Sequence, residues 1–456
     1  MTAPEATSST QISAAKPKAS WRDGLAVYLQ PRVLIVLLLG FSSGLPLALS
    51  GSTLLIWMRE AGVDLGTIGL FALVGTPYTL KFLWAPLVDA LHLPFFTQQF
   101  GRRRGWLLLS QLLLIAAILL LATADPASSP LFVAVAALLV ATTSSTQDIV
   151  VDAFRVESLP ESEQAAGMAS YVAAYRIGML VSTAGALFIV SGFESTGLAR
   201  NAAWKWGYVV MAALVLIGCI TALVATEPEP SVRAEAATHD ESAFTRVIHA
   251  AVGAFSEFLT RRDAIAALAF VVLFKFTDAF SGSMTAPFVI DLGFSRNDYA
   301  AIVKGVGLAA TLIGGFAGGF LARRYSLAAS LWVGGVLQAV ANLSFSWLAL
   351  VGINQWALAL AITAENFTSA IGTVIFVAYL SALCRNPLHT ATQYALLTAL
   401  SAVGRTYLSS GAGFIAKATG WPLFFVICVL VAIPGLLLLT WLQRRGHFDE
   451  LGPVKV

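Results

Sequence analysis

The sequence predicts an all-α integral membrane protein of twelve transmembrane helices in two pseudo-symmetric six-helix halves. Three observations carry that expectation. Apolar residues make up 57% of the 456 and charged residues only 12%, against about 25% charged in soluble domains. The apolar residues gather into runs of the roughly 20 residues that cross a bilayer core. The longest polar connection divides those runs six and six.

In chain order, residues 1–30 read as a polar, disordered tail with an interfacial segment. Its opening, "MTAPEATSSTQISAAKPKAS", lacks the apolar region of a signal peptide. The first half, 31–225, holds predicted spans at about 33–58, 66–90, 105–124, 130–156, 164–192 and 204–225. The connection 226–263 starts polar and then carries Phe244, Val247, Ile248, Ala251, Phe255, Phe258 and Leu259 three or four apart. That stripe predicts an amphipathic helix along the membrane interface, either a linker or a partner-binding site. The second half, 264–445, holds spans at about 264–289, 298–321, 327–349, 355–383, 390–416 and 421–443, and 446–456 is a short tail.

An even number of spans puts both termini on one side, and the basic residues say which. With cytoplasmic termini, eighteen Lys and Arg fall in the tails and cytoplasmic loops. The opposite loops hold four: Arg59, Arg200, Arg296 and Lys417. That bias predicts cytoplasmic termini. The net charge of +3 is too small and dispersed for nucleic acid. Cys219, Cys384 and Cys428 sit at unrelated spacings, and none of the five His is paired at ligand spacing, so neither a metal nor a cofactor is expected.

Features of the halves echo one another. "SSGLP" (Gly44, Pro46) interrupts the first span and "SGSMTAP" (Gly282, Pro287) the seventh, so helix breaks are expected there. Spans five and eleven each carry one internal Arg, Arg176 and Arg405. Paired breaks in two repeats point to a transporter with its substrate site near the midplane.

The ionisable residues inside spans are the candidate site. In "SSTQDIVVDAFRVESLP" the fourth span carries Gln147, Asp148, Asp152 and Arg155. Facing lipid, the two Asp and the Arg would cost roughly 7–10 kcal/mol together. At 100° per residue they share one face within about 60°, which can turn to a cavity or to neighbouring helices. Asp152 and Arg155, near the cytoplasmic end, are expected to pair with each other; Gln147 and Asp148 lie deeper, where a substrate or proton role competes with a structural one. Lys275 and Asp278 stand three apart on span seven, close enough to pair, and Glu365 and Asn366 lie within span ten. A membrane carboxyl can take up and release a proton as water and cations approach it, so Asp148, Asp278 and Glu365 are candidates for proton coupling, against a plain salt-bridged role. Arg176 and Arg405 stay charged and need an anion, from the protein or a ligand. Lys304 is a further cation within a span. Tyr78, Trp84, Tyr171, Tyr175 and Tyr394 can stack on sugar rings or simply pack.

Asp89 closes span two, and Arg102, Arg103 and Arg104 follow in "GRRRG". This is similar to the cytoplasmic loop motif of the major facilitators, an aspartate followed by Gly-Arg-Arg, which in that superfamily latches the halves. The spacer here is longer, and simple positive-inside anchoring is the alternative. On the resemblance, Asp89, Arg102, Arg103, Asp152 and Arg155 form a cytoplasmic gate.

"LGFSSGLPLALS", "KFLWAPLVD", "GRRRGWLL", "SSTQDIVVDA", "YRIGMLVS", "TQYALLTALSAVGR" and "IPGLLLL", in order from about residue 30 to 445, resemble the AmpG family of muropeptide permeases. The chain departs in its longer N-terminal tail, its polar central loop, and "ENFTSAIGT", where relatives are richer in glycine. The resemblance implies the major facilitator fold and a bacterial inner-membrane location. It implies uptake of N-acetylglucosaminyl-1,6-anhydro-N-acetylmuramic acid, with or without its peptide, from periplasm to cytoplasm with protons, for cell-wall recycling and β-lactamase induction. The family's Gln-Asp pair falls on Gln147 and Asp148, expected as the polar wall of the cavity. Sugar hydroxyls and acetamides suit Gln147, Asn366 and Tyr side chains, and peptide carboxylates suit Arg176, Lys275, Lys304 or Arg405. The partners expected are this small molecule, protons and the lipid bilayer around a monomer. A carrier of another cargo (an acyl-CoA or a smaller oligosaccharide) and a non-transporting muropeptide sensor are the alternatives. An enzyme with paired carboxylates is disfavoured because the acids lie on membrane helices.

Overall fold

The computed structural model describes residues 26–91, 93–228, 259–260, 262–384 and 390–451. The N-terminal tail to residue 25, most of the predicted linker helix and the end of the C-terminal tail lie outside the described residues, as does the side chain of Asp89. The described chain is helical throughout, with no β-strand.

Among the described residues, ten helices are long and apolar enough to cross a membrane. Local chemistry sets their ends. Pro31 and Pro130 occupy first-turn positions, where a missing N–H costs nothing. Asn354 caps Gln355–Leu383 by accepting from the N–H groups of Trp356 and Ala357 at 3.0 and 3.1 Å.

The two remaining predicted spans are jointed. Residues 65–90 form the helix Leu65–Leu70, a 3₁₀ turn Phe71–Gly75, the helix Thr76–Leu80, a second 3₁₀ turn and the helix Ala85–Ala90. Residues 390–419 form Thr390–Thr406, a 3₁₀ turn Leu408–Gly411 and Ala412–Thr419. Gly75, Pro77 and Pro86 in the one, and "SSGAG" in the other, weaken the α-helical ladder.

The breaks expected at Gly44, Pro46, Gly282 and Pro287 are not there. Pro31–Leu49 runs through Gly44 and Pro46, and the first span breaks later, at Ser50 and Gly51. Ala264–Asp291 runs unbroken through Gly282 and Pro287. Proline is tolerated within membrane helices because neighbouring groups re-satisfy the freed backbone. Gly44 instead allows contact. A Cβ there would lie 2.1 Å from the carbonyl oxygen of Tyr175, so only glycine lets helix Pro31–Leu49 close onto Glu161–Leu180.

Among the described residues, apolar packing joins the halves at one end. One buried cluster includes Leu54, Trp57 and Trp204 from the first half with Phe288, Phe345 and Phe425 from the second. Towards the other end each half keeps its own, around Phe270, Phe376 and Tyr379 in the second and around Leu107, Val150 and Phe154 in the first. At the shared end the two jointed segments meet. Helix Leu65–Leu70 lies against Ala412–Thr419, where a Cβ on Gly413 would stand 1.8 Å from the Leu65 carbonyl oxygen.

Gly44 and Gly413 thus predict different failures. Gly44→Leu pushes apart two helices of one half and is expected to lower the thermal transition of the purified chain by several degrees, on the order of 1–3 kcal/mol of overpacking. Gly413→Leu acts on the seam between halves and is expected to lengthen distances between spin labels across the shared end. An unchanged transition for the first, or unchanged distances for the second, would count against these roles.

Candidate functional site

At the end where the halves touch, ion pairs close the molecule. Arg296 is buried at 7% exposure and donates from Nε to Glu60 Oε1 at 2.6 Å and from Nη2 to Glu194 Oε2 at 2.7 Å. Its guanidinium also stands 5.5 Å from the ring centre of Trp204, whose Nε1 donates to Glu60 Oε2 at 3.0 Å. One arginine of the second half is therefore held by two carboxylates of the first. Arg59 pairs in the reverse sense with Asp291, which also accepts from Trp421 Nε1 at 2.9 Å. Lys417 reaches Asp64 at 3.3 Å, and Arg200 braces Glu194 at 3.4 Å. Asp64 also caps helix Leu65–Leu70. The Thr67 hydroxyl, its backbone N–H and Lys417 hold the Asp64 carboxyl below the ordinary carboxylate range, against a smaller opposing effect of burial. Its contribution is present above the unfolded value of about 3.9 and is lost as pH falls through the lower folded one, so the cap is intact at neutral pH.

Beneath this closed end a cavity of about 600 Å³ opens between the halves, within the range of about 300–1,000 Å³ for small-molecule sites. The first half contributes Leu47, Ser50, Leu55, Tyr78, Arg176 and Met179 to its wall, and the second Met284, Lys304, Thr311, Glu365, Asn366 and Arg405. Asn366 donates to Glu365 Oε2 at 2.8 Å and accepts from the Thr311 hydroxyl at 3.3 Å. Thr79 and Thr406 share a hydrogen bond of 3.0 Å across the seam beside it. Such a wall offers hydroxyl and amide partners for sugars, cations for acids, and apolar surface between them.

Of the residues expected to bind substrate, Tyr78, Arg176, Asn366 and Arg405 line this cavity, as does Glu365 from the proton set. Tyr175, Lys275, Asp278, Gln147 and Asp148 do not. Lys275 pairs with Asp278 at 2.9 Å and donates to Thr373 at 2.8 Å, while Asp278 accepts from Ser369 at 2.7 Å. That acid and base satisfy each other inside the second half. Gln147 is fully buried, and Asp148, 7% exposed, accepts from Ser43 at 2.6 Å. The Asp148 carboxylate therefore turns to helix Pro31–Leu49 rather than to the cavity wall. Tyr78 presents its ring to the cavity but buries its hydroxyl.

The basic loop is anchored within its own half, while the latch expected of it turns on Asp89, whose side chain lies outside the described residues. Gly101, at φ +89°, starts helix Arg102–Ala122, and Glu227 caps it by accepting from the N–H groups of Arg103 and Arg104 at 2.8 and 3.0 Å. The Arg103 side chain donates to both oxygens of Glu157 at 2.9 and 2.5 Å, with Arg102 also 3.6 Å away. Arg104 donates to the carbonyls of Ala222 and Leu223. These contacts tie the loop to spans four and six of its own half. The expected Asp152–Arg155 pair forms at 3.9 Å, with Lys81 at 4.0 Å from the same carboxylate.

The closed-end network itself was not foreseen. Its signal was nevertheless visible, since Arg59, Arg200, Arg296 and Lys417 are the four exceptions to the charge bias. Arg296→Gln would take the cation from half-buried Glu60 and leave Glu194 only Arg200, a loss on the order of 1–3 kcal/mol. The variant is expected to spread spin-label distances across the closed end; an unshifted distribution would remove Arg296 as the closing contact.

Comparison with known proteins agrees with this geometry. Residues 36–408 match the profile of the Major Facilitator Superfamily. The chain is 40% identical over 428 residues to the anhydromuropeptide permease of Escherichia coli K12, covering 94% of this chain and 83% of that one. It is 33% identical over 414 residues to a putative transporter, AmpG 4, of Rickettsia felis, covering 91% and 97%. Among solved structures, the nucleoside transporter NupG superposes with a TM-score of 0.70 over 92% of this chain and all of that one, at 13% identity, which speaks to fold alone. A family profile over most of the chain, strong identity along nearly its whole length and a shared helical architecture lead to one conclusion: the chain belongs to the Major Facilitator Superfamily, as a permease of the AmpG type rather than an enzyme.

Proposed function

We propose that the protein is an inner-membrane permease that imports anhydromuropeptides, N-acetylglucosaminyl-1,6-anhydro-N-acetylmuramic acid with or without its peptide, from periplasm to cytoplasm. The observation that carries this reading is the 40% identity over 94% of the chain to a permease named for that cargo. A polar cavity between two helical halves supports it. On this reading the ten long helices and the two jointed segments make twelve crossings, with both termini cytoplasmic. The charge bias of eighteen to four then makes the closed end periplasmic, and the fold is in its inward-facing state. Transport proceeds by alternating access in a monomer and is driven by protons, with Asp148, Asp278 and Glu365 as the candidate acids. The imported fragments serve cell-wall recycling and the induction of β-lactamase.

The arrangement suggests how the cycle runs. The closed-end ion pairs are the contacts that must part for the cavity to face the periplasm. Rocking one half against the other about the cavity keeps each half intact, as the glycine-tight packing of Pro31–Leu49 on Glu161–Leu180 requires. Asp148 is bonded to Ser43 of that same helix, so it moves with its half.

Accumulation of labelled anhydromuropeptide in proteoliposomes with an imposed pH gradient tests the reading. Uptake that collapses when the gradient is dissipated is expected. Binding without uptake would make the protein a sensor, and no binding would point to another cargo. In the same assay Gln147→Ala and Asp148→Asn are expected to cut uptake at least about tenfold in protein that still inserts and stays monodisperse. The amide variant of at least one of Asp148, Asp278 and Glu365 is expected to lose accumulation and keep exchange, because exchange needs alternating access but no coupled ion. If all three amide variants still concentrate cargo, coupling runs through another group.

A further inference from the structure

Four charged side chains face the cavity, and none of them forms an ion pair within 4 Å among the described residues. Arg176 and Arg405 line it from spans five and eleven, and neither has a hydrogen-bond or ion-pair partner among the described residues. Lys304 has only the ring face of Tyr299, at 5.5 Å from its centre. Glu365 is hydrogen-bonded by the amide of Asn366, which is neutral, and Lys304 and Lys275 stand beyond ion-pair distance from it. Elsewhere in the spans the pattern is the reverse: Lys275 and Asp278 neutralise each other, and Asp152 lies between Arg155 and Lys81. Charges kept unpaired at membrane depth belong to water-filled cavities and to the ligands that enter them.

The count and type of these groups specify a ligand. Three cations and one carboxylate complement a molecule bearing several carboxylates and a single ammonium. A guanidinium presents a planar fork that matches a carboxylate in two parallel hydrogen bonds, and Lys304 supplies a compact third cation. Glu365, an acceptor with one oxygen already fixed by Asn366, suits an ammonium, which only donates. With the peptide attached the sugars of a muropeptide are neutral and would use none of this, while the bare anhydrodisaccharide keeps one lactyl carboxylate and would engage one cation at most. Its peptide would use all of it, because a stem peptide containing glutamate and a diamino diacid carries several carboxylates and one free amine.

We infer that the cavity reads the charge pattern of the peptide, with Arg176, Arg405 and Lys304 holding its carboxylates and Glu365 its ammonium. The inference rests on the muropeptide reading above and goes past it, because it makes the peptide-bearing fragment the preferred cargo and the free amine a recognised group. It also gives Glu365 a ligand to hold, apart from any proton.

Binding titrations on the purified full-length protein test this with four probes: the bare anhydrodisaccharide, the fragment with its tripeptide, that fragment with its amine acetylated, and that fragment with its carboxylates amidated. The tripeptide form is expected to bind about tenfold or more tighter than the bare disaccharide, and acetylation or amidation to remove most of the gain. E365Q should compress the ratio of free to acetylated amine towards one, and R405Q the ratio of native to amidated carboxylates. The wild-type series needs no variant to fold. Tripeptide and bare forms binding within twofold, or an acetylated amine binding as well as a free one, would overturn the inference while leaving the cargo reading intact. If the tripeptide fragment does not bind at all, both fall together.

Discussion

A charge inside a bilayer must meet an opposite charge, a hydrogen bond or water, because facing lipid costs roughly 2.5–3.5 kcal/mol per group. This constraint sorts the ionisable residues into three sets. At the closed end Arg59, Arg296 and Lys417 meet carboxylates of the other half. At the far end Arg102 and Arg103 meet Glu157 of their own half. Between them Arg176, Lys304, Arg405 and Glu365 meet the cavity. Where a charge finds its partner therefore separates what holds a half together, what holds the halves to each other, and what is left for a ligand.

The seam between halves is built from interrupted segments rather than continuous helices. Glycine brings Leu65–Leu70 and Ala412–Thr419 to backbone contact, which leaves few interdigitated side chains to pull apart. Both segments are jointed by 3₁₀ turns, and two π-helical stretches, Val181–Gly185 and Tyr299–Val306, also meet across the seam. Departures from the α-helical ladder often mark functional hinges. Inside a half the chemistry differs. Pro31–Leu49 presses on Glu161–Leu180 with no room for a side chain at Gly44, and Lys275, Asp278, Ser369 and Thr373 hydrogen-bond to one another within the second half.

Much of this was legible in the sequence, and the remainder was hidden for identifiable reasons. Hydropathy located the long helices because apolar length is a one-dimensional property. Arg176 and Arg405 were recognisable because a permanent cation in an apolar run needs an explanation wherever the helix turns. Azimuth is another matter. Helical spacing put Asp148, Asp152 and Arg155 on one face but could not say that the face meets Ser43 on a neighbouring helix. Likewise Gly44 and Pro46 read as a break, yet a glycine serves flexibility and close packing equally well, and only the backbone of Tyr175 beside it decides. Arg296 was counted as a loop charge because the sequence cannot place Glu60 and Glu194 around it.

The signs at the closed end do more than attract. The first half supplies mainly acids there, Glu60, Asp64 and Glu194, and the second mainly bases, Arg296 and Lys417. A purely one-signed match would tolerate sliding, since any acid would accept any base along the seam. Arg59 with Asp291 is the reversed pair, and Arg59 is the chain neighbour of Glu60. A slide that moved Arg296 from Glu60 towards Arg59 would bring two guanidinium groups together in a part-buried site, and like charges so placed repel strongly. The alternating order of Arg59 and Glu60 against Asp291 and Arg296 therefore admits one register. Under the alternating access proposed above, the halves need such a rule each time they close, because apolar contact alone is indifferent to direction.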